Sequence, residues 1–103
     1  MSNPEEMAYI FKVLAVPTRV RLLQILKSGS LCVNALAREL DVSPAAVSQH
    51  LRVLRDSGLV RGRKRGYYVH YELDLSTLHK WRNLAQILLT EPLDKMLGQS
   101  NEQ

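Results

Sequence analysis

Apolar residues recur at helical spacing through the first half of the chain, alternate over a short central stretch, and then return to helical spacing. Met7, Ile10, Phe11 and Leu14 fall at i, i+3, i+4 and i+7, which predicts an amphipathic helix over about residues 4–15. Pro4, Glu5 and Glu6 suit its start, where a proline loses no hydrogen bond and carboxylates meet the positive end of the helix dipole. A second helix begins at Pro17, turns Val20, Leu23 and Leu26 inward with Arg19, Arg21 and Lys27 outward, and stops at Gly29. Ser30 is a candidate cap for a third, in which Val33, Leu36, Ala37 and Leu40 share a face. Asp41-Val42-Ser43 breaks that helix, and Ser43-Pro44 starts a fourth: the hydroxyl satisfies a free N–H while proline takes the first helical position. Its apolar stripe is Val47, Leu51 and Leu54, and Gly58 ends it.

From Leu59 the pattern alternates. It predicts strands from Leu59 to Lys64 and from Tyr67 to Leu73 about a turn at Arg65-Gly66, with His70 on the outer face. After Asp74, Leu78, Trp81, Ala85, Leu88 and Leu89 restore a helical stripe over about residues 75–97, which Pro92 is expected to kink or restart. Met1 to Asn3 and Gly98 to Gln103 read as frayed ends. The fold expected is mainly α with a β-hairpin, in the order α-α-α-α-β-β-α. At 103 residues the chain has room for one domain, residues 1–103.

Composition narrows the function classes. With 46% hydrophobic and 23% charged residues, the chain has the balance of an ordinary folded protein. A single cysteine, Cys32, excludes an intrachain disulfide and any zinc site made of several thiolates, and fits a reducing compartment. No charged start leads into an apolar run, so no signal peptide or membrane span is expected and the cytoplasm is the default location. The net charge is +4, and between Arg38 and Arg65 seven basic residues face three acidic ones, which accounts for all of it. Such a segment reads as a surface for a polyanion or, more blandly, as a solvated basic face.

Two short helices joined by a tight break, the second opening Ser-Pro-Ala-Ala-Val-Ser-Gln-His, read as a helix-turn-helix, with a plain helical hairpin as the alternative. Ala45 permits close approach to a groove about 12 Å wide, where Ser48, Gln49 and Arg52 offer hydrogen bonds and His50 and Arg55 lie alongside. Ser43 and Pro44 place a helix N-terminus at a phosphate. The hairpin downstream adds Arg61, Arg63, Lys64 and Arg65, suited to the backbone or minor groove.

These pieces together resemble the ArsR/SmtB family of winged-helix repressors from about Phe11 to Leu89. The resemblance rests on Leu14 to Leu23, Val33 to Leu40, Val47 to Leu54, Asp56-Ser57-Gly58-Leu59-Val60 and Arg65 to Leu73. Val16 departs from the family's frequent Asp, so the second helix should start without a side-chain cap. The resemblance implies a homodimer built on the terminal helices, through Met7, Ile10, Phe11, Leu14, Leu78, Trp81, Ala85 and Leu88. It also implies binding to an imperfect palindrome of double-stranded DNA and release by an effector that the residues do not identify.

The metal sites of the family are not matched. Leu31-Cys32-Val33-Asn34 has one cysteine where metal-sensing relatives have two. Ser76 and Ile87 stand where other members carry the histidines that pair with Asp74 and its partners. Cys32 and His79 are isolated donors, and no cofactor or metal is expected. Without a Gly-rich phosphate loop, paired carboxylates or a Cys–His pair, catalysis is not expected either. The remaining alternative is a winged helix that binds RNA or an acidic protein partner.

Overall fold

The structure, a computed structural model, describes residues 3–101 and, apart from residues 91–95 and 99–101, their side chains. The elements in order are α1 (Pro4–Leu14), α2 (Pro17–Leu26), β1 (Leu31–Cys32), α3 (Val33–Leu40), α4 (Pro44–Asp56), β2 (Val60–Arg65), β3 (Tyr68–Leu73) and α5 (Leu75–Asn101). The expected order is present with one addition, the two-residue β1.

At the start of α1, the Asn3 side chain accepts a hydrogen bond from the Glu6 N–H at 2.6 Å, with Pro4 in the first turn beside Glu5 and Glu6. Asn3 is therefore a cap, while Met1 and Ser2 lie outside the described residues. Helix α2 starts at Val16 with no side-chain cap, as the missing Asp implies. Its buried residues are Leu22, Leu23 and Leu26, and Val20 is 39% exposed. Leu23 and Leu26 thus face inward as expected and Leu22 takes the place of Val20, because a 10-residue helix wedged between neighbours buries i, i+1 and i+4 rather than a single row.

Strand β1 changes how α3 begins. Leu31 pairs with Tyr71 and Cys32 with His70, so the chain stays extended past Ser30 and Cys32, not Ser30, becomes the N-cap, without a side-chain bond. The sheet order is β1-β3-β2, all antiparallel. Helix α3 ends on Asp41, whose φ of 55° is left-handed; its N–H and that of Val42 return to the carbonyls of Ala37 and Arg38. Ser43 Oγ then accepts from the Ala46 N–H at 3.1 Å and opens α4. The other end of α4 closes on Gly58, φ 87°, with the Leu59 N–H bonded to the Leu54 carbonyl.

The hairpin turn is Gly66-Tyr67, one residue later than expected, with Gly66 at φ 63°. A positive φ at the first central residue suits the right-handed twist of the flanking strands, and glycine adopts it without strain. The Asp74 carboxylate accepts from the Thr77 N–H and the Ser76 hydroxyl where α5 begins, and those two bonds hold its pKa below the usual carboxylate range. Helix α5 passes through Pro92 as one element and continues past Gly98 to Asn101. Pro92 thus does not restart it, since the fixed proline φ is compatible with a helix. Glu102 and Gln103 lie outside the described residues.

Leu22, Leu36, Val47, Leu51, Leu54 and Leu59 are almost completely enclosed, each contributing about 1.5–3 kcal/mol relative to exposure. They join α2, α3, α4 and the base of the sheet into one core, to which Ile10 and Val13 of α1 and Trp81 of α5 are added. No polar residue is buried among those described.

Candidate nucleic-acid interface

Burying Val47, Leu51 and Leu54 determines which residues α4 can present outward. Ala45, Ser48, Gln49 and Arg52, spaced i, i+3, i+4 and i+7, are all exposed and form one polar row, which Arg55 extends. Ser43 and Pro44 lie exposed at its N-terminal end. The Ser43 hydroxyl oxygen is occupied by the capping bond, yet its own O–H is still able to donate.

His50 stands apart from that row. It is half-buried, and its Nδ1 accepts from Arg19 Nε at 3.3 Å, while Arg19 Nη1 donates to the Val13 carbonyl at 3.1 Å. The structure therefore places His50 in a tie between α1, α2 and α4 and away from the exposed polar row. Arg19, expected on the outside of α2, turns inward to make this tie. Burial and the adjacent guanidinium both push the His50 pKa down, which keeps the ring neutral and able to accept.

The wing cations fall into two groups. Arg61 Nε donates to Oε1 of Glu72 at 3.1 Å, Arg63 Nε forms an ion pair with the same oxygen at 3.1 Å, and Arg61 Nη1 lies 3.9 Å from Asp74 Oδ2. Lys64 and Arg65, nearer the tip, have no ion pair among the described residues, and Tyr67 beside them is fully exposed. Sequence reading missed Arg19 and Glu72. Both act through contacts distant in sequence, and the one available signal was a carboxylate placed to face a basic strand.

Of the residues expected at a dimer interface, Ile10 and Trp81 are buried in the protomer's own core. Met7, Leu14, Leu78 and Ala85 are half-buried, and Phe11 and Leu88 are exposed. Tyr9, Ile87 and Leu89 add exposed apolar surface beside them, and Tyr9 packs edge-on against Trp81 at 6.3 Å. An apolar hollow of about 160 Å³ between α1 and α5 is lined by Ile10, Phe11, Leu14, Leu78 and Trp81.

The remaining donors stay scattered. His79 lies 3.3 Å from Arg82 Nη2, Cys32 is a half-buried free thiol, and His70 sits across the sheet from it with Nδ1 enclosed and without a hydrogen-bond partner. Among the described residues no three His, Cys, Asp or Glu side chains come together, and no helix is long and apolar enough to cross a membrane.

The family described as bacterial regulatory protein, arsR family, matches residues 16–61, from the N-cap of α2 into β2. The cadmium resistance transcriptional regulatory protein CadC homolog of Staphylococcus aureus is 41% identical over 73 residues, 70% of this chain. The chain spans 60% of the length of that relative. A crystal structure of a possible transcriptional regulator for arsenical resistance superposes with a TM-score of 0.74 at 42% identity, covering 87% of this chain and 94% of that one. The solution structure of a homodimeric winged helix-turn-helix DNA-binding domain from Mycobacterium bovis shares the fold, with a TM-score of 0.67 at 24% identity over 85% of this chain and 86% of that one. On the matched segment, and on a relative 42% identical along nearly its whole length, the chain belongs to the bacterial ArsR family of regulatory proteins.

Proposed function

We propose that the chain is a homodimeric, sequence-specific repressor that binds an imperfect palindrome of double-stranded DNA and leaves it when an effector binds. The observation that carries this reading is the exposed row Ala45, Ser48, Gln49 and Arg52, opposite the buried face of α4 and backed by the capped N-terminus at Ser43. A row of small and hydrogen-bonding side chains on a helix that protrudes from a helix-turn-helix has the form needed to reach base edges in a major groove. Ser48 and Gln49 read bases, Arg52 and Arg55 meet bases or backbone, and Lys64 and Arg65 grip phosphate or minor groove. Residues 1–103 act as one domain in the cytoplasm, with α1 and α5 forming the dimer through Phe11, Leu88 and their exposed neighbours. The homodimeric state of the M. bovis domain supports that arrangement.

The hollow between α1 and α5, at about 160 Å³, is smaller than the roughly 300 Å³ at which small-molecule sites begin, and suits side chains of a second protomer. Because the His, Cys, Asp and Glu side chains are dispersed among the described residues, this reading takes the effector to be something other than a metal held within one chain. Selection from random duplexes, followed by mobility shifts on selected DNA, random DNA and RNA, tests the reading. A large preference for one palindrome supports it, and equal or stronger binding to RNA overturns it in favour of an RNA-binding module.

A further inference from the structure

The wing's four cations are not equally available. Arg61 stands directly across from Glu72, while Arg63 pairs with His70 and lies diagonal to Glu72 on the same face of the sheet. One carboxylate oxygen accepts the Nε–H of Arg61 and lies 3.1 Å from Nε of each arginine, and the Glu72 side chain is 25% exposed beneath two arginines that are 56% and 58% exposed. Each guanidinium has five N–H donors; Arg61 gives Glu72 one, and Arg63 is held by charge alone. The arginines are therefore restrained and partly neutralised, not withdrawn. Asp74 adds a second negative charge near Arg61.

We propose that Glu72 is a positioning residue that acts as a brake on the wing: through Arg61 and Arg63 it weakens the grip on the phosphate backbone of any duplex. This rests on the reading that the wing meets DNA. A phosphate approaching β2 competes with a carboxylate already in place, and the carboxylate repels it as well. Counterion release at Arg61 and Arg63 is correspondingly incomplete, so the salt dependence of binding is shallower than four wing cations alone would give.

The test compares dimeric variants on a selected duplex and on a random one across a salt series. Glu72→Gln removes only exposed ion pairs, which contribute little to stability, and thermal melts verify that it folds as the parent does. It should tighten binding to both duplexes by roughly three- to tenfold and steepen the slope of log affinity against log salt by about one to two. Arg61→Gln with Arg63→Gln should cost less than about twofold when Glu72 is present, and should abolish the gain when combined with Glu72→Gln. Unchanged or weaker binding by Glu72→Gln overturns the brake, as does an equal loss from the arginine pair in both backgrounds. Lys64→Gln with Arg65→Gln separates the two levels. If that pair leaves binding intact, the wing does not touch DNA and both ideas fall; if it weakens binding while Glu72→Gln has no effect, only the brake falls.

Discussion

Gln49 and Arg65 are both exposed and polar, but a duplex makes different demands of them. Gln49 sits in the middle of the α4 row, and an amide there can pair two groups on one base edge; Arg65 ends β2 beside the turn and meets charge. Gln49→Ala should cost about 1–3 kcal/mol on the selected duplex and little on random DNA, whereas Arg65→Ala should weaken both and lower the salt slope by about one, as read by anisotropy titration. Asp41 makes a separate point about strain. It holds a left-handed φ of 55° at the helix-turn-helix corner, and Asp41→Gly should raise stability by up to about 1 kcal/mol in denaturant melts. For His50 the sign follows from its lowered pKa. The unfolded chain takes up the proton first as pH falls, so the ring's contribution is complete above the ordinary histidine value of about 6.5 and is lost as pH drops through the lower folded value. Melts between pH 7.5 and 5.5 should show stability falling with acid, and His50→Gln, which keeps an acceptor, should flatten that slope. Ser43, Gln49 and Arg65 were readable in the sequence because cap, stripe and turn are local patterns. The Arg19–His50 tie spans 31 residues and depends on how three helices pack, which no local spacing encodes.

At the scale of elements, the helices were readable because each carries an apolar stripe, and a start signal supports all but α3, whose expected Ser30 cap gives way to Cys32. The exception is instructive. Strand β1 has two residues, too few for any period, and it exists because β3 offers an open edge to Leu31 and Cys32. Helix α2 shows the reverse case, in which a missing cap is visible in the sequence and present in the fold. Val16→Asp should supply a side-chain acceptor at that N-terminus and stabilise the protein by about 1 kcal/mol, measured by thermal or urea unfolding. Gly62 is a tighter constraint within the wing. A Cβ there would lie 2.9 Å from Cγ1 of Val69 and 3.4 Å from the Tyr71 ring. Gly62→Ala should therefore cost about 1–2 kcal/mol and loosen the hairpin.

The whole molecule is elongated, 63 × 25 × 23 Å, with a radius of gyration of 17.1 Å, where a self-contained globule of this length has about 13 Å. Much of the difference is α5, 27 residues and about 40 Å long, whose middle leaves Ile87, Leu88 and Leu89 exposed. If α1 and α5 form the proposed dimer, Leu88→Glu should yield a monomer in sedimentation runs and greatly weaken binding to the proposed palindrome, while leaving the α2–α4 core folded. The exposed stripe on α5 also has a consequence for quantity. If part of each protomer's apolar surface is covered only by its twin, folding and pairing are linked by mass action, and the melting temperature should climb with protein concentration. Below the dimer's dissociation constant, the fraction of DNA sites filled would then follow the square of the number of chains, so that a modest change in copy number would act as a steep dial on repression.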